Sequence, residues 1–379
     1  MKTPHLAAAA LSALAATAWA DAPQYSIVDL GVVASTTASQ AFGISPDGDT
    51  VVGRSLGSSS IGNIAYAWTE AGGLQSLANL SGRKYAVANA VNDAGTVVGV
   101  SATTAFGSSP LPVMWQNGVA TQLALPSGYA VGQAYAINAG GTIVGAVGSG
   151  IQQRAAILGT SSTTVISATT ANGSYMSYAY GITNSGLVIG AGIDPSNAAV
   201  NVGLIYDTVS GSMTSLGALP GLNGAIAFGV SDSGYVVGAS MFNQGSGLPF
   251  IWSASGGMTA IPLPDGTTAG SARDVNDSGW AVGVASNAYA IPFLYADGTT
   301  YSIDTLLTNG AGWDLVTNTS SSALGIANDG SIIGTAIHDG AVHAYKMTLV
   351  TAVPEPGTWA LLASGLGLLA LRRRRPTQH

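Results

Sequence analysis

The sequence contains no cysteine, and only 8% of its 379 residues are Asp, Glu, Lys or Arg. The lack of cysteine excludes a disulfide-stapled scaffold, and low charge combined with 47% hydrophobic residues excludes a disordered chain. A net charge of −7 argues against nucleic acid as a partner, because that needs a basic face. Long hydrophobic runs are also scarce, since most apolar residues stand in runs of two to four between glycines. We therefore do not expect a polytopic membrane protein.

The first twenty residues have the pattern of a secretory signal peptide. Lys2 precedes an apolar stretch, 6–17, and a small-x-small exit site then ends at Ala20. We predict a signal peptide over 1–20 that signal peptidase removes between Ala20 and Asp21. The mature chain is then expected to leave the cytoplasm.

The C-terminal segment, 352–379, has three parts: a Pro-Glu-Pro motif, an uncharged run over 357–371 and a basic end. A helix over the uncharged run would be about 22 Å long, which is marginal against a hydrocarbon core of about 30 Å. Four arginines after that helix would keep its end in the cytoplasm. The motif consists of Pro354, Glu355 and Pro356, and the basic end of Arg372, Arg373, Arg374 and Arg375. A permanent membrane tail and a removable sorting anchor both fit this pattern.

Together these features resemble the PEP-CTERM sorting signal of Gram-negative bacteria. The resemblance implies transient anchoring in the inner membrane, processing by an exosortase at the Pro-Glu-Pro motif, and delivery to the cell surface. It also implies a bacterium that makes exopolysaccharide.

Between the two ends the sequence repeats seven times. Each unit has an Ala-x-Gly/Ala-Ile/Val strand, a turn rich in Asn, Asp and Gly, and a second strand that closes on glycine. Asn or Asp before Gly between β-branched runs is typical of a β-hairpin. A variable loop, a third strand ending in an aromatic residue and a fourth strand near a leucine complete the unit. The closing glycines, 45 to 51 residues apart, are Gly53, Gly99, Gly145, Gly190, Gly238, Gly283 and Gly334.

Four strands in about 45 residues, repeated seven times, predict an all-β fold over 21–351: a seven-bladed β-propeller of four-stranded blades. The seventh unit has no fourth strand of its own, whereas 25–31 resembles an unattached fourth strand. We expect this N-terminal strand to pair with 343–347 and close the ring. An open β-solenoid is the alternative, because only the strand count and this pairing enforce closure.

The repeat unit also resembles the HAF family of extracellular repeats, over about 25–349 of this sequence. That family is defined by its repeats, so the resemblance implies an extracellular location and supplies no catalytic residues. Two units depart from the pattern. The third lacks the aromatic residue after 155–158, and the seventh carries an enlarged insert around 310–322.

No catalytic, metal or cofactor site is predicted. His338 and His343 could face each other across a hairpin, but only Asp339 lies near them, which is too few ligands for a metal. Ser55 lies in a G-x-S-x-G match, but no strand-to-helix turn follows it. The turn aspartates supply one carboxylate each, so we interpret them as closing turns rather than binding calcium. They are Asp47, Asp93, Asp232, Asp277 and Asp329.

We predict a secreted, non-enzymatic protein of the cell surface or biofilm matrix that engages exopolysaccharide or another surface component through its variable loops. These loops are rich in Ser, Gly, Asn and Thr, which suits hydrogen bonding to a neutral polymer. They are 54–63, 101–111, 191–201 and 239–247. Residues 21–351 contain six Lys or Arg and 17 Asp or Glu, so the expected domain is acidic, with a net charge of −11.

The alternative is a polysaccharide lyase or hydrolase built on the same ring, with residues of different blades meeting near its axis. Among the acidic residues only Asp274 lies inside an inner-strand motif. A carboxylate grouped with Arg and Tyr in the central channel would favour the enzyme. An axis lined with Ala, Gly and Ser would favour binding or scaffolding.

Overall fold

The structure is a computed structural model that describes residues 22–104, 108–149 and 152–350. Within these residues the chain forms β-strands and one short 3₁₀ helix. The strands group into seven antiparallel blades that surround a central axis, and a parallel contact between Asn63 and Tyr85 joins blades 1 and 2 into one eight-stranded sheet. The prediction of an all-β, seven-bladed ring of four-stranded blades is therefore confirmed.

The strands follow one another in blade order. Strand β1 is Tyr25–Asp29. Blade 1 contains β2 (Ala38–Ile44), β3 (Thr50–Leu56), β4 (Asn63–Thr69) and β5 (Gly73–Ser76). Blade 2 contains β6 (Tyr85–Val91), β7 (Val97–Ala102), β8 (Leu111–Gln116) and β9 (Val119–Gln122). Blade 3 contains β10 (Val131–Ile137), β11 (Ile143–Ser149), β12 (Gln152–Leu158) and β13 (Thr164–Val165).

The remaining blades continue this order. Blade 4 contains β14 (Tyr175–Ile182), β15 (Leu187–Asp194), β16 (Asn197–Asp207) and β17 (Met213–Ser215). Blade 5 contains β18 (Gly224–Val230), β19 (Val236–Met241), β20 (Gly247–Ser253) and β21 (Gly257–Ala260). Blade 6 contains β22 (Ala269–Val275), β23 (Ala281–Ser286), β24 (Ala290–Ala296) and β25 (Thr299–Ser302). The 3₁₀ helix (Ile303–Leu306) and β26 (Trp313–Asp314) precede blade 7, which contains β27 (Ser322–Ile326), β28 (Ile332–His338) and β29 (Ala341–Leu349).

The N-terminal strand completes blade 7. Strand β1 pairs antiparallel with β29, from Tyr25 opposite Leu349 to Asp29 opposite Tyr345. The backbone N–H of Leu30 extends this pairing by donating to the carbonyl of Ala344 at 3.0 Å. The expected ring closure is thus confirmed, and the open β-solenoid is excluded because the first and last strands share one sheet.

The turn between the first two strands of a blade forms as its sequence predicts. In blade 2 the side-chain oxygen of Asn92 accepts a hydrogen bond from the N–H of Thr96 at 3.0 Å. Gly95 takes a positive φ of 74°, which is costly for residues with a Cβ. Asn92 therefore supplies the hydrogen bond that closes the turn, and Gly95 supplies the backbone conformation that the turn needs.

The closing glycines recur because the two inner strands approach too closely for a side chain. A Cβ at Gly53 would lie 2.0 Å from the carbonyl oxygen of Gln40, and one at Gly334 would lie 1.9 Å from that of Ser322. The same approach, within 2.2 Å, occurs at Gly99, Gly145, Gly190, Gly238 and Gly283. In blades 1 and 7 the third-strand tyrosines Tyr66 and Tyr345 fill the space beside this glycine.

The core lies between neighbouring blades. Val52 and Ala65 of blade 1, for example, pack against Ala86 and Ala88 of blade 2. The indole of Trp115, at the end of a third strand, is also buried between blades and donates from Nε1 to the carbonyl of Ala78 at 2.7 Å. Because both faces of a blade are covered, its strands need apolar residues on both sides. This explains the small share of charged residues in the chain.

No helix among the described residues is long and apolar enough to cross a membrane. The signal peptide expected over 1–20 lies outside the described residues, and so does the helix expected over 357–371.

Candidate functional site

A bulge in the inner strand of each blade turns one side chain toward the central axis. In blade 1 the pairing of β2 with β3 shifts between Ala41 and Gly43, and in blade 6 the pairing of β22 with β23 shifts between Ala272 and Asp274. A bulge of this kind redirects the extra residue of the strand. The extra residues line a central channel with a cavity of about 270 Å³. This bulge ring consists of Phe42, Asn89, Tyr135, Tyr180, Phe228, Arg273 and Leu324.

The position after the bulge is occupied by Gly or Ala in six blades and by Asp274 in blade 6. A Cβ at Gly43 would lie 2.5 Å from the carbonyl oxygen of Asn89, so neighbouring inner strands leave little room there. The residues at this position are Gly43, Ala90, Ala136, Gly181, Gly229, Asp274 and Gly325. Asp274 is thus the one carboxylate that the seven inner strands place in the channel wall.

Asp274 binds backbone amides of two blades. Its Oδ1 accepts from the N–H of Val275 at 2.9 Å, and its Oδ2 accepts from the N–H of Ile326 in blade 7 at 3.0 Å. The part of the side chain that remains exposed faces the narrow channel. Burial raises the pKa of Asp274 to about 7, although the two amide hydrogen bonds lower it. Near neutral pH the carboxyl group is therefore able to gain or lose a proton.

Arg273, the residue before Asp274, also lines the channel cavity. The guanidinium carbon lies 4.4 Å from the ring centroid of Phe228, which is within cation–π distance. Its Nε is buried and has no hydrogen-bond partner in the part of the chain that the structure describes. Every ion pair found among the described residues involves a histidine, so none neutralises Arg273. The channel therefore offers an unpaired cation, and burial lowers the pKa of Arg273 from its ordinary value.

Aromatic rings cover the channel wall from blade 3 to blade 5. Tyr178 and Tyr180 stack with ring centroids 5.7 Å apart, and Tyr135 meets Tyr180 edge-on at 5.2 Å. Tyr180 in turn contacts Phe228 at 5.8 Å, which links the cluster to Arg273. Burial raises the pKa of Tyr180 to about 12, so its hydroxyl stays neutral. The inner strands thus bring aromatic rings, one cation and one carboxyl group to the channel, and the turn aspartates Asp232 and Asp277 also line its cavity.

Ser55 of the G-x-S-x-G match is not placed as a nucleophile. It is buried within β3, and its Oγ accepts a hydrogen bond from the N–H of Val33 at 3.0 Å. Arg54, beside it, donates from Nε to Oε1 of Gln40 at 2.9 Å and lies 5.4 Å from the ring of Phe42. The G-x-S-x-G match is therefore part of an ordinary repeat strand, in which Ser55 and Arg54 bind the neighbouring loop and strand.

The turn aspartates divide into two groups. The carboxylates of Asp47 and Asp329 accept hydrogen bonds within their own turns, and those of Asp93, Asp232 and Asp277 accept from a neighbouring blade. Hydrogen bonds lead from each turn of the ring to the next and return to blade 1, an arrangement we call the turn circuit. It runs through Asp47 N to Asp93 Oδ1 (3.1 Å), Asn92 Nδ2 to Asn138 O (3.1 Å), Ala139 N to Asn184 Oδ1 (2.8 Å), Asn184 N to Asp232 Oδ1 (2.6 Å), Ser233 N to Asp277 Oδ1 (2.9 Å), Asp277 N to Asn328 Oδ1 (3.0 Å) and Asn328 N to Pro46 O (2.9 Å). These side chains bind the backbone of a neighbouring blade, and Asn184, Asp232, Asp277 and Asn328 also line the cavity of the central channel.

The opposite face carries the variable loops, and two of them expose an aromatic ring. Phe242, between β19 and β20, is 60% exposed, and Tyr289, between β23 and β24, is 46% exposed. The first loop is held by a reciprocal amide pair in which Asn223 Nδ2 donates to Asn243 Oδ1 at 2.9 Å and the N–H of Asn243 donates back at 2.7 Å. Asn287 Oδ1 accepts from the N–H of Tyr289 at 2.8 Å. Blades 5 and 6 therefore present solvent-facing aromatic side chains on one face.

The two histidines meet an aspartate that is distant in sequence. Nδ1 of His343 lies 2.8 Å from Oδ2 of Asp29, and Nδ1 of His338 lies 3.5 Å from the same oxygen. Asp339 is the acidic residue nearest to the histidines in sequence, but its carboxylate stays 3.9 Å from His338. No sequence motif around Asp29 indicates this contact, because ring closure alone brings Asp29 next to the two histidines.

The family described as the PEP-CTERM protein-sorting motif matches residues 352–375. The chain carries a PEP-CTERM signal. This signal indicates an exosortase-sorted secreted protein that is directed outside the cell or to the cell surface of a Gram-negative bacterium. The matched range includes Pro354, Glu355, Pro356 and the four arginines; these, like Ala20 and Asp21, lie outside the described residues and remain predictions.

Solved structures with the same fold share little sequence with this chain. It resembles virginiamycin B lyase from Staphylococcus aureus at 13% identity and a TM-score of 0.52, covering 86% of this chain and 100% of the lyase. It also resembles oligogalacturonate lyase in complex with manganese at 12% identity and a TM-score of 0.53, covering 87% and 98%. No curated protein matches the sequence. At such low identity these likenesses establish the β-propeller fold alone.

Proposed function

We propose that this protein is a non-enzymatic component of the cell surface or biofilm matrix that binds exopolysaccharide through its variable loop face. The observation that carries the proposal is the pair of exposed aromatic residues, Phe242 and Tyr289, on neighbouring blades of that face. Aromatic rings offer large, rigid apolar area at a small entropic cost, which suits the apolar faces of sugar rings.

The surroundings of the two rings support a carbohydrate ligand. Asn223, Asn243 and Asn287 lie beside them and provide amide groups, and the loops contain few charges. A neutral polymer with many hydroxyls fits such a surface, because each amide can both donate and accept hydrogen bonds. The resemblance of the repeats to the HAF family also supports an extracellular role, as does the sorting signal.

Binding to the producing bacterium's own exopolysaccharide tests the proposal. We expect the purified mature protein to be retarded in a gel that contains this polymer, and the double variant F242A/Y289A to bind at least tenfold more weakly. Val209→Ala is the matched control, because Val209 is 84% exposed on the opposite face. If the double variant and the wild type were retarded equally, the binding site would not lie at these two residues of the loop face. If neither protein were retarded, polysaccharide binding would be rejected.

A polysaccharide lyase is the second candidate, favoured by the group of Asp274, Arg273 and Tyr180 in the channel. Hydrolysis of a glycoside ordinarily uses two carboxyl groups, whereas Asp274 shares the cavity only with Asp232 and Asp277, which already accept from backbone amides of neighbouring blades. Elimination needs one base, and a carboxyl group with a pKa of about 7 fits that task. Asp274 would accept the proton from the carbon next to a uronate carboxylate that Arg273 neutralises. The electrons of that C–H bond would form the C=C bond as the glycosidic C–O bond breaks, and the neutral hydroxyl of Tyr180 would donate a proton to the departing oxygen.

Two features make binding the stronger proposal. Both oxygens of Asp274 already serve backbone amides, and the cavity of about 270 Å³ is small for an oligosaccharide. Incubation with polyuronates distinguishes the candidates, because an elimination produces an unsaturated sugar that absorbs ultraviolet light. Product formation that disappears in Asp274→Asn would establish the lyase, and the absence of product would leave the binding protein.

A further inference from the structure

Three side chains from consecutive strands of blade 7 meet at the loop face. They are Asp29 of β1, His338 of β28 and His343 of β29, and one ligand atom from each lies within 4.8 Å of the others. Their side chains are 28%, 23% and 19% exposed, so the group is sheltered but open to small ions. Among the described residues this is the one group of three or more such side chains that could hold a metal.

The register of blade 7 produces this arrangement. His338 pairs with Ala341, two residues before His343, so the two imidazoles project diagonally from the same face of the sheet. Asp29 pairs with Tyr345, two residues after His343, and therefore continues the diagonal on the same face. A register slip of one residue would turn a histidine or the aspartate to the other face.

The spacing of the ligand atoms suits a small divalent cation. The distances from Oδ2 of Asp29 to the Nδ1 atoms of His343 and His338 are 2.8 Å and 3.5 Å. In a tetrahedral zinc site with bonds of about 2.0 Å, ligand atoms are about 3.3 Å apart, which lies between these distances. Two imidazoles and a carboxylate favour zinc or a neighbouring transition metal over calcium or magnesium.

Other groups already hold these side chains in position. Oδ1 of Asp29 accepts from the N–H of Gly31 at 2.8 Å, which leaves Oδ2 directed at the imidazoles. Trp313 stacks on His338 with ring centroids 4.3 Å apart and an interplanar angle of 19°. Contacts of this type orient metal ligands from outside the coordination sphere. Trp313 comes from the insert that sets blade 7 apart from the other six units.

We propose that Asp29, His338 and His343 form a binding site for a divalent transition metal, with a fourth position open to water. The bound ion joins the N-terminal strand to the last hairpin and thereby reinforces ring closure. A ligand that binds only the folded state raises the free energy of unfolding, by an amount that grows with the logarithm of its concentration relative to its Kd. The site is separate from the channel and from the exposed aromatic residues, so it stands independently of the proposed function.

Zinc alone serves as the probe, with full-length mature protein prepared without a histidine tag and treated with a chelator. We expect calorimetric titration to show one zinc ion per chain, and the melting temperature to rise as zinc is added. Cobalt is expected to give the visible absorption of a tetrahedral site with nitrogen ligands. Binding of no zinc, or a melting temperature that zinc leaves unchanged, would overturn the proposal.

Matched variants separate metal binding from folding. His338→Gln and Asp29→Asn keep the size of each side chain, and each is expected to weaken zinc binding at least tenfold while the zinc-free melting transition remains cooperative. Asp339→Asn is the control, because Asp339 adjoins His338 but lies outside the group. It is expected to bind zinc as the wild type does. If Asp339→Asn weakened binding as strongly as His338→Gln, or if His338→Gln bound zinc normally, the assignment of ligands would be wrong.

Discussion

The hydroxyl of Tyr25 donates a hydrogen bond to the carbonyl of Gly330 at 3.1 Å, across 305 residues of sequence. Tyr25 is fully buried, and burial raises the pKa of its phenol well above the ordinary value. The first strand is therefore part of the core of blade 7 and not an attached tail. The core cluster of this blade includes Tyr25 and Ile27 together with Leu294 of blade 6.

Deletion of residues 24–30 is expected to abolish cooperative unfolding. The deletion removes β1, leaves β29 as an open edge and exposes the cluster around Tyr25. Urea denaturation followed by circular dichroism measures the effect, with Tyr25→Phe as the mild variant. Tyr25→Phe loses one hydrogen bond, so its unfolding free energy is expected to fall by about 1 kcal/mol with cooperativity retained. An unchanged transition in the deletion variant would reject the closure role of β1.

Gly145→Ala is expected to destabilise the protein by more than about 3 kcal/mol. The new Cβ would lie 2.0 Å from the carbonyl oxygen of Gln133, and relief of that clash needs a backbone shift between β10 and β11. Gly140→Ala is the control, because its Cβ would come no closer than 3.4 Å to Asn138 Oδ1 in an exposed turn. Thermal unfolding of both variants checks the prediction. Similar losses at the two positions would show that close strand approach is not the reason for the closing glycines.

Asp274 is expected to make the protein less stable as pH rises from about 4 to 7. Its pKa is about 7 in the folded protein and near 3.8 when exposed, so between these values the folded state binds more protons than the unfolded state. The stabilisation is complete below pH of about 4 and is lost as pH rises through about 7, at a slope of up to about 1.4 kcal/mol per pH unit.

The difference between wild type and Asp274→Asn isolates this contribution, because the other titrating groups are common to both proteins. Urea unfolding across the same pH range is the measurement. If the difference in unfolding free energy between wild type and variant were the same at every pH, the carboxyl group of Asp274 would have an ordinary pKa.

Replacement of Pro354, Glu355 and Pro356 by alanine is expected to block exosortase processing. The protein should then keep its C-terminal segment, run at a higher apparent mass and remain with the inner membrane instead of the cell surface. Immunoblotting of cell fractions measures both properties. Thr358→Ala, in the same segment but outside the motif, is expected to sort normally. The exosortase inference fails if localisation and apparent mass do not change in the triple variant.

Local chemistry explains why the architecture could be predicted from the sequence. The turn at Asn92 and Gly95 and the closing glycine Gly53 are determined by contacts within one blade, so each repeat carries its own signal. The pairing of β1 with β29 was also predictable, because one unit lacked a strand and the N-terminus offered one. The sorting signal needed only the C-terminal residues.

The candidate sites depend on bulge geometry and on contacts between blades, which the sequence of a single repeat does not show. The inner-strand bulges decide that Arg273 and Tyr180 line the channel, and a bulge changes side-chain direction without a sequence signature of its own. Three of the turn aspartates also act on the neighbouring blade, as Asp93 does for the N–H of Asp47, which alignment of single units does not show.

The sequence by itself thus determined the strands, their number and the sorting signal, because these follow from hydrophobic pattern, turn chemistry and a local motif. Only the tertiary structure decided which side chains share a site. Asp29 meets His343 across 314 residues because the ring closes on blade 7, and Asp274 holds an amide of the next blade because the inner strands converge. Both contacts arise from ring geometry, which no short stretch of sequence encodes.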